Sequence, residues 1–141
     1  MNWTEVLRLS GSEVPFGVSS AGSWGYLSRE GQWTGLDSQL IPTLVTVLES
    51  SPETVSETLR GGLSAEGFSP DLAGAFPLHQ AIRMGLMWPG GSGYWQAHAL
   101  RWVDSLHTAA EFGPELRALA QHGPTQAIRH RARRLVRTST M

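Results

Sequence analysis

The stretch that decides the fold runs from Gly93 to Arg137 and reads GYWQAHALRWVDSLHTAAEFGPELRALAQHGPTQAIRHRARRLVR. Its apolar residues recur at helical spacing, and two Gly-Pro pairs interrupt them. This pattern predicts a long helix, a short helix that begins at Gly113-Pro114, and a second long helix that begins at Pro124 or Thr125. The last of these helices is densely basic.

The apolar positions of the two long helices repeat at a single offset of 33 residues, which lies in the range of helical-repeat arrays. Both helices have a small Ala at the second position, where a neighbouring helix can approach closely. The matching positions are Trp95, Ala99, Trp102 and Val103 in the first helix and Ile128, Ala132, Leu135 and Val136 in the second. The repeat therefore predicts stacked helix pairs.

Two further helices are predicted upstream of this stretch. The first begins at Asp37 or Ser38 and has Pro42 in its first turn, where a missing N–H is tolerated. The second begins at Ser51-Pro52-Glu53, with Ser as the cap, Pro at the first position and an acid in the first turn. They form a helix–turn–helix unit over residues 38–63. The segments that follow are a short turn at 71–76, a helix at 77–87 and a Pro/Gly linker at 89–93.

Residues 1–36 differ from the rest of the chain in composition. Residues 2–9 have the apolar spacing of one or two helical turns. Six glycines then punctuate residues 11–35, where apolar side chains alternate with the period of a strand in two places. These places are Val14, Phe16 and Val18, and then Trp24 and Tyr26. We expect an irregular Gly/Trp-rich segment with at most short strands.

The aromatic residues of this segment, Trp24, Tyr26 and Trp33, have two interpretations. They plug the open end of the helical core, or they line a recognition surface, because Trp and Tyr are enriched at binding hot spots. The plug is the favoured interpretation. A separate hypothesis, that of a small enzyme, places a pocket near Trp24, Trp33, Trp88 and Trp95.

Together these segments predict an all-α fold of stacked antiparallel helix pairs. At 141 residues the chain has the size of one domain. The expected domain covers residues 1–141, with the irregular segment at 1–36 and the helix pairs at 37–138. An irregular helical bundle is the alternative architecture.

Two segments resemble a known family. LIPTLVTVLESSPETVSETLRGGLSA, residues 40–65, is similar to a HEAT-type repeat, and QAIRHRARRLV, residues 126–136, resembles the second helix of one. The resemblance covers residues 38–138, although the linker at 89–93 departs from it. It implies a non-enzymatic macromolecular binding module that acts by protein–protein interaction, as an adaptor, an inhibitor or an immunity-type protein. Some HEAT-like proteins bind nucleic acid, including DNA glycosylases, but the catalytic acid of those enzymes has no recognisable motif here.

The composition excludes several kinds of chemistry. The chain has no cysteine, which rules out disulfides, thiolate catalysis and Cys-based zinc sites. None of its five histidines has the HExxH spacing or an acidic neighbour at ligand spacing, so no metal site is predicted. A near match to GxSxG has Ala21 where the second Gly belongs, and the chain lacks the Lys of a phosphate-binding loop. We predict no catalytic residue, no metal and no cofactor.

The sequence also predicts where the protein acts. It does not start with a basic region followed by an apolar run, and it has no stretch of 18 consecutive apolar residues. The expectation is a cytoplasmic protein without a signal peptide and without a membrane partner.

Charge is distributed unevenly along the chain. Residues 1–100 carry four Arg and nine acids, whereas residues 101–141 carry seven Arg and three acids. At about 100° per residue, the apolar residues of the last helix cluster on one side and its cations cover the rest. These cations are the candidate partner-binding residues: Arg129, His130, Arg131, Arg133, Arg134 and Arg137.

Three interpretations of this basic helix are open. It is a solvated surface helix whose cations pair with acids of the first half, a face that binds an acidic protein or a second copy of the chain, or a nucleic-acid-binding face. A protein partner is preferred over nucleic acid, because the whole chain is slightly acidic and no aromatic residue interleaves the Arg run.

Overall fold

A computed structural model of the chain describes residues 2–8, 14–36, 42–89 and 93–139. The chain divides into two compact units, an N-terminal unit Met1–Leu78 and a C-terminal unit His79–Met141. Helix accounts for 62% of the structure and strand for 15%. The prediction of an all-α fold is wrong, because the N-terminal unit contains a four-stranded antiparallel sheet. A single domain over residues 1–141 stays a prediction.

The sheet is a meander in which each strand pairs with the next along the chain. The register between the first and second strands shifts between Glu5 and Leu7, which marks a bulge. A turn at residues 28–32, with Gly31 at φ +80°, joins the third and fourth strands. The strands are β1 (Trp3–Arg8), β2 (Pro15–Ser19), β3 (Trp24–Leu27) and β4 (Trp33–Gly35).

One face of the sheet belongs to the core of the N-terminal unit. Phe16 and Trp24 each meet the ring of Phe76 edge-on, with centroid distances of 5.7 and 5.0 Å. The indole Nε1 of Trp24 donates a hydrogen bond to the carbonyl oxygen of Leu72 at 2.8 Å. Within residues 2–9, which we expected to be helical, Trp3–Arg8 forms β1 instead, because Leu7 is buried opposite Phe16 in the sheet; residue 9 lies outside the described residues. Trp24 is therefore a core residue.

The opposite face of the sheet holds a pair of tryptophans above two glycines. The rings of Trp3 and Trp33 are parallel to within 7°, and their centroids are 5.7 Å apart. A Cβ atom at Gly25 would lie 2.6 Å from Cζ3 of Trp3, and one at Gly17 would lie 2.9 Å from Cη2 of Trp33. Gly17 and Gly25 are direct partners in neighbouring strands, so together they make room for both indoles.

The helical segments of the N-terminal unit follow the predicted order. A 3-10 helix spans Pro42–Glu49, where an α-helix was expected, and the predicted start at residues 37–41 lies outside the described residues. The helix α1 (Pro52–Ala65) is capped as predicted, since Ser51 Oγ accepts a hydrogen bond from the backbone N–H of Thr54 at 3.2 Å. A second 3-10 helix covers Pro70–Ala75.

The C-terminal unit is helical, and α4 and α5 begin at or just after the two predicted Gly-Pro pairs. The elements are α2 (Leu78–Leu86), α3 (Tyr94–Leu106), a 3-10 helix at Ala109–Phe112, α4 (Gly113–His122) and α5 (Gln126–Ser139). The predicted inner face of α3 is buried at Ala99, Trp102 and Val103, whereas Leu106 is 40% exposed. Within the described ranges, no helix is both long and apolar enough to cross a membrane.

Candidate binding face

The helix α5 packs through three apolar residues and leaves the remainder of its surface basic. Ile128, Ala132 and Leu135 are buried. Thr125 Oγ1 accepts a hydrogen bond from the backbone N–H of Ile128 at 3.1 Å, which caps the start of the helix. Between Gln126 and Ser139 the helix has five arginines and one histidine but no acidic residue. One face is thereby fixed to the core while the cations face outward.

Arg129 differs from the other predicted site residues in its burial and its contacts. Its side chain is half-buried, and Nη1 donates a hydrogen bond to the carbonyl oxygen of Gly123 at 2.7 Å. Gly123 directly follows α4, so this contact satisfies a carbonyl at the end of that helix. The role of Arg129 visible here is structural.

The remaining five predicted residues are all exposed on α5, and we call them the basic face: His130, Arg131, Arg133, Arg134 and Arg137. Two grooves flank the basic face. The α3–α5 groove has a volume of about 110 Å³ and includes Arg131, Arg134 and the carboxylate-bearing Asp104 among its lining residues. The α4–α5 groove, about 300 Å³, brings Arg117 of α4 together with Arg133 and Arg137.

The α4–α5 groove is the better site for an anionic partner. Ala120 and Val136 contribute apolar surface to it, and none of its described lining residues is acidic. Sequence reasoning missed Arg117, which lies in a helix with an otherwise ordinary composition. The short connection between the helices could have indicated it. A three-residue connection makes two helices antiparallel neighbours and brings the start of α4 close to the end of α5.

The C-terminal unit does not neutralise its own positive charge. It contains eight arginines and three acids, a net charge of +5, whereas the N-terminal unit has three arginines and nine acids, a net charge of −6. Glu111 and Glu115 already contact side chains of α2, at 2.5 Å to His79 and 3.0 Å to Arg83. Asp104 is therefore the one acid of this unit that remains near the basic face.

The structure offers no support for a metal centre, since the described ranges contain no group of three or more metal-binding side chains. Of the four tryptophans assigned to an enzymatic pocket, Trp24 and Trp33 belong to the N-terminal unit and Trp88 and Trp95 to the C-terminal unit. Trp24 is buried in the core, and the rings of Trp88 and Trp95 lie 6.0 Å apart. Comparison of the chain with family models, curated proteins and solved structures found no match.

Proposed function

We propose that this protein is a non-enzymatic binding module whose basic face docks an acidic segment of another protein. The observation that carries the proposal is the α4–α5 groove, in which Arg117, Arg133 and Arg137 surround an apolar floor. The protein would act in the cytoplasm as an adaptor, an inhibitor or an immunity-type protein. The HEAT-like arrangement of its helices belongs to the same proposal.

The chemistry of the groove favours a protein over nucleic acid. Each guanidinium can donate two parallel hydrogen bonds to one carboxylate, which gives Asp and Glu side chains a defined geometry. Ala120 and Val136 would accept an apolar side chain beside those carboxylates, and protein interfaces commonly combine an apolar centre with a polar rim. Nucleic acid would use the cations alone, because α5 has no Phe, Tyr or Trp on which bases could stack.

The first experiment uses defined probes. We would measure, by fluorescence polarisation, binding of a Glu/Asp-rich peptide with one central Leu, the same peptide with Ser in place of Leu, and a single-stranded oligonucleotide of equal charge. Protein recognition predicts that the Leu peptide binds most tightly and keeps more of its affinity than the oligonucleotide between about 50 and 200 mM salt. Tighter binding of the oligonucleotide would favour the nucleic-acid alternative.

The second experiment compares two charge reversals of equal size. The variant R133E/R137E changes the α4–α5 groove, whereas R29E/R60E makes the same change in net charge at two exposed arginines of the N-terminal unit. The proposal predicts that only the first variant loses the peptide, and that it also loses crosslinks from α5 to a partner in cells of the native host. If both variants bind equally well, the basic face is not the docking site.

A further inference from the structure

The helix α4 forms a ridge between two different surfaces of the C-terminal unit. Its exposed residues fall into two rows, and the members of each row are four positions apart, so they lie on the same side of the helix. Arg117 and Gln121 form one row and line the α4–α5 groove. Pro114, Ala118 and His122 form the other row and line a second cavity, of about 330 Å³, between α4 and the end of α2. Two sites thus share one exposed helix.

The second cavity, which we call the α2–α4 cavity, is mostly apolar, whereas the α4–α5 groove is basic. Leu86 and Leu119 are buried in its wall, and Met87 lies at its rim with 65% of its surface exposed. The described lining contains no arginine, and its one acid, Glu115, is half-buried and paired with Arg83. An anionic side chain is therefore rejected by this cavity and attracted to the groove on the other side of α4.

The size and lining of the α2–α4 cavity fit one aromatic side chain of a partner. Its volume lies at the lower limit of the pockets that enclose whole small molecules, about 300–1,000 Å³. Met87 lines it with a thioether, a flexible group that makes favourable contacts with aromatic rings. Pro114 and Pro124 line it as well, and their fixed φ angles restrict movement of the wall. One ring attached to a larger chain is therefore a better occupant than a whole free ligand.

The two sites are close enough for one bound segment to occupy both. They lie on the two flanks of α4, and a helix with its side chains is about 10–12 Å wide. An extended chain advances about 3.3 Å per residue, so four residues cover about 13 Å and end with the side chain on the same side of the segment. A residue delivered in this way binds intramolecularly once its neighbours are bound, which raises the affinity without further loss of translational freedom.

We propose that the acidic segment of the partner carries an aromatic residue about four positions from its acids, and that this residue binds in the α2–α4 cavity. The acids contact Arg117, Arg133 and Arg137, and the segment crosses α4 in an extended conformation. This second contact rests on the proposed function and adds to it the composition and the spacing of the partner segment.

Four peptides test the spacing by fluorescence polarisation. Each has the same block of four Glu followed by Ser and Gly, with Trp placed one, four or eight positions after the last Glu, or with Ser in place of Trp at the fourth position. We expect the four-position peptide to bind about tenfold more tightly than the Ser peptide, and to gain more than the other two Trp peptides.

The outcomes separate the aromatic contact from the proposed function. Equal affinity of the Ser peptide and the three Trp peptides would overturn the aromatic contact and leave the basic groove in place. No binding of any peptide would overturn both. If N-acetyltryptophanamide alone bound as tightly as the four-position peptide, the cavity would be an independent small-molecule site, which would also overturn the proposal.

Two matched variants locate the aromatic residue. Ala118→Trp fills the α2–α4 cavity and should remove the gain from the Trp of the peptide. Ala127→Trp places the same ring at an exposed position of α5 outside the described lining of both sites, so the gain should persist. If Ala118→Trp does not fold, Met87→Asp changes the rim of the cavity at a residue that is 65% exposed.

NMR of the unmodified chain gives a direct readout of the same contact. The ring current of the bound Trp should shift the methyl signal of Met87, and the Ser peptide should leave that signal in place. An unshifted methyl signal, or a gain from Trp that survives Ala118→Trp and Met87→Asp, would place the aromatic residue elsewhere and overturn the proposal.

Discussion

Arg83 Nε and Glu115 Oε1 lie 3.0 Å apart, and beside them His79 Nε2 and Glu111 Oε2 lie 2.5 Å apart. In each pair the two residues are 32 positions apart in the sequence. The Arg83–Glu115 pair lies four residues further along both segments than the His79–Glu111 pair. Phe112 lies beside both basic side chains, with its centroid 5.7 Å from that of the His79 ring and 5.3 Å from the Arg83 guanidinium carbon. Two polar pairs and one aromatic ring thus hold α2 to the 3-10 helix Ala109–Phe112 and to the start of α4.

The Arg83–Glu115 and His79–Glu111 pairs should differ in their contribution to stability. Arg83→Met should lower the free energy of unfolding by about 1–3 kcal/mol, because it leaves both oxygens of the largely buried Glu115 without a described partner. His79→Gln should cost less than about 1 kcal/mol, because both members of its pair are more than half exposed. Urea denaturation of the two variants measures the difference, and equal losses would contradict it.

Two adjacent glycines in α1 should respond in opposite directions to the same substitution. A Cβ at Gly61 meets nothing within 4 Å, so Gly61→Ala should raise the free energy of unfolding by about 0.5–1 kcal/mol through helix propensity. A Cβ at Gly62 would lie 2.5 Å from the carbonyl oxygen of Val6 in β1, so Gly62→Ala should destabilise the protein. Thermal unfolding of both variants tests the packing of α1 against β1. An increase in stability in both variants would contradict that packing.

The glycines beneath the tryptophan pair should tolerate no side chain. Gly25→Ala would place a Cβ 2.6 Å from the carbonyl oxygen of Thr34 and from Trp3, so we expect a loss of about 1–3 kcal/mol. Near-UV circular dichroism should report the displaced indole. Gly74→Ala is the matched control, since a Cβ there meets nothing within 4 Å. Unchanged spectra for both variants would argue against the described placement of Trp3.

Arg129 should contribute mainly to stability and Arg133 mainly to binding. Arg129→Met removes the hydrogen bond to the Gly123 carbonyl and should cost about 0.5–1.5 kcal/mol. Arg133→Met should change stability by no more than about 0.5 kcal/mol, because its exposed side chain has no ion pair within the described residues. Binding of the acidic peptide should weaken in Arg133→Met, because Arg133 lines the α4–α5 groove. Chemical denaturation would measure stability and fluorescence polarisation would measure binding on the same samples. Weaker peptide binding in Arg129→Met alone, or a larger loss of stability in the other variant, would contradict the prediction.

The α-helices α2 to α5 could be predicted from sequence because each is long enough to display its apolar period, and segments rich in Pro and Gly precede α3, α4 and α5. The sheet could be predicted only as short strands. Alternating side chains at Phe16 and Val18 and at Trp24 and Tyr26 lie within β2 and β3, but strands of three to six residues interrupted by glycines did not indicate that they pair into one sheet. The helical spacing of Val6 and Leu7 with Trp3 was also misleading, because pairing with β2 overrides local preference.

Only part of the candidate site could be predicted, because the sequence pattern of one helix does not show which other elements it contacts. A helical wheel gives the direction of each α5 side chain but not its neighbours, so the half-buried Arg129 was grouped with the exposed residues of the basic face. Its hydrogen bond to Gly123 depends on how the chain enters α5. Arg117 lies outside the basic run, and only the packing of α4 on α5 brings it to Arg133. Contacts between different helices and loops therefore determine the roles of both Arg129 and Arg117.

The tryptophan pair of the sheet has a spectroscopic consequence. Trp3 and Trp33 lie on the first and fourth strands, so their rings come together only when all four strands have found their register. Indoles absorb in the near ultraviolet, where the peptide backbone of helices does not, so separation of this stacked pair would change a spectral region in which the helix backbone gives no signal. A near-ultraviolet circular dichroism change that Trp33→Phe removes would therefore report completion of the sheet, and would allow its folding to be timed separately from folding of the helices.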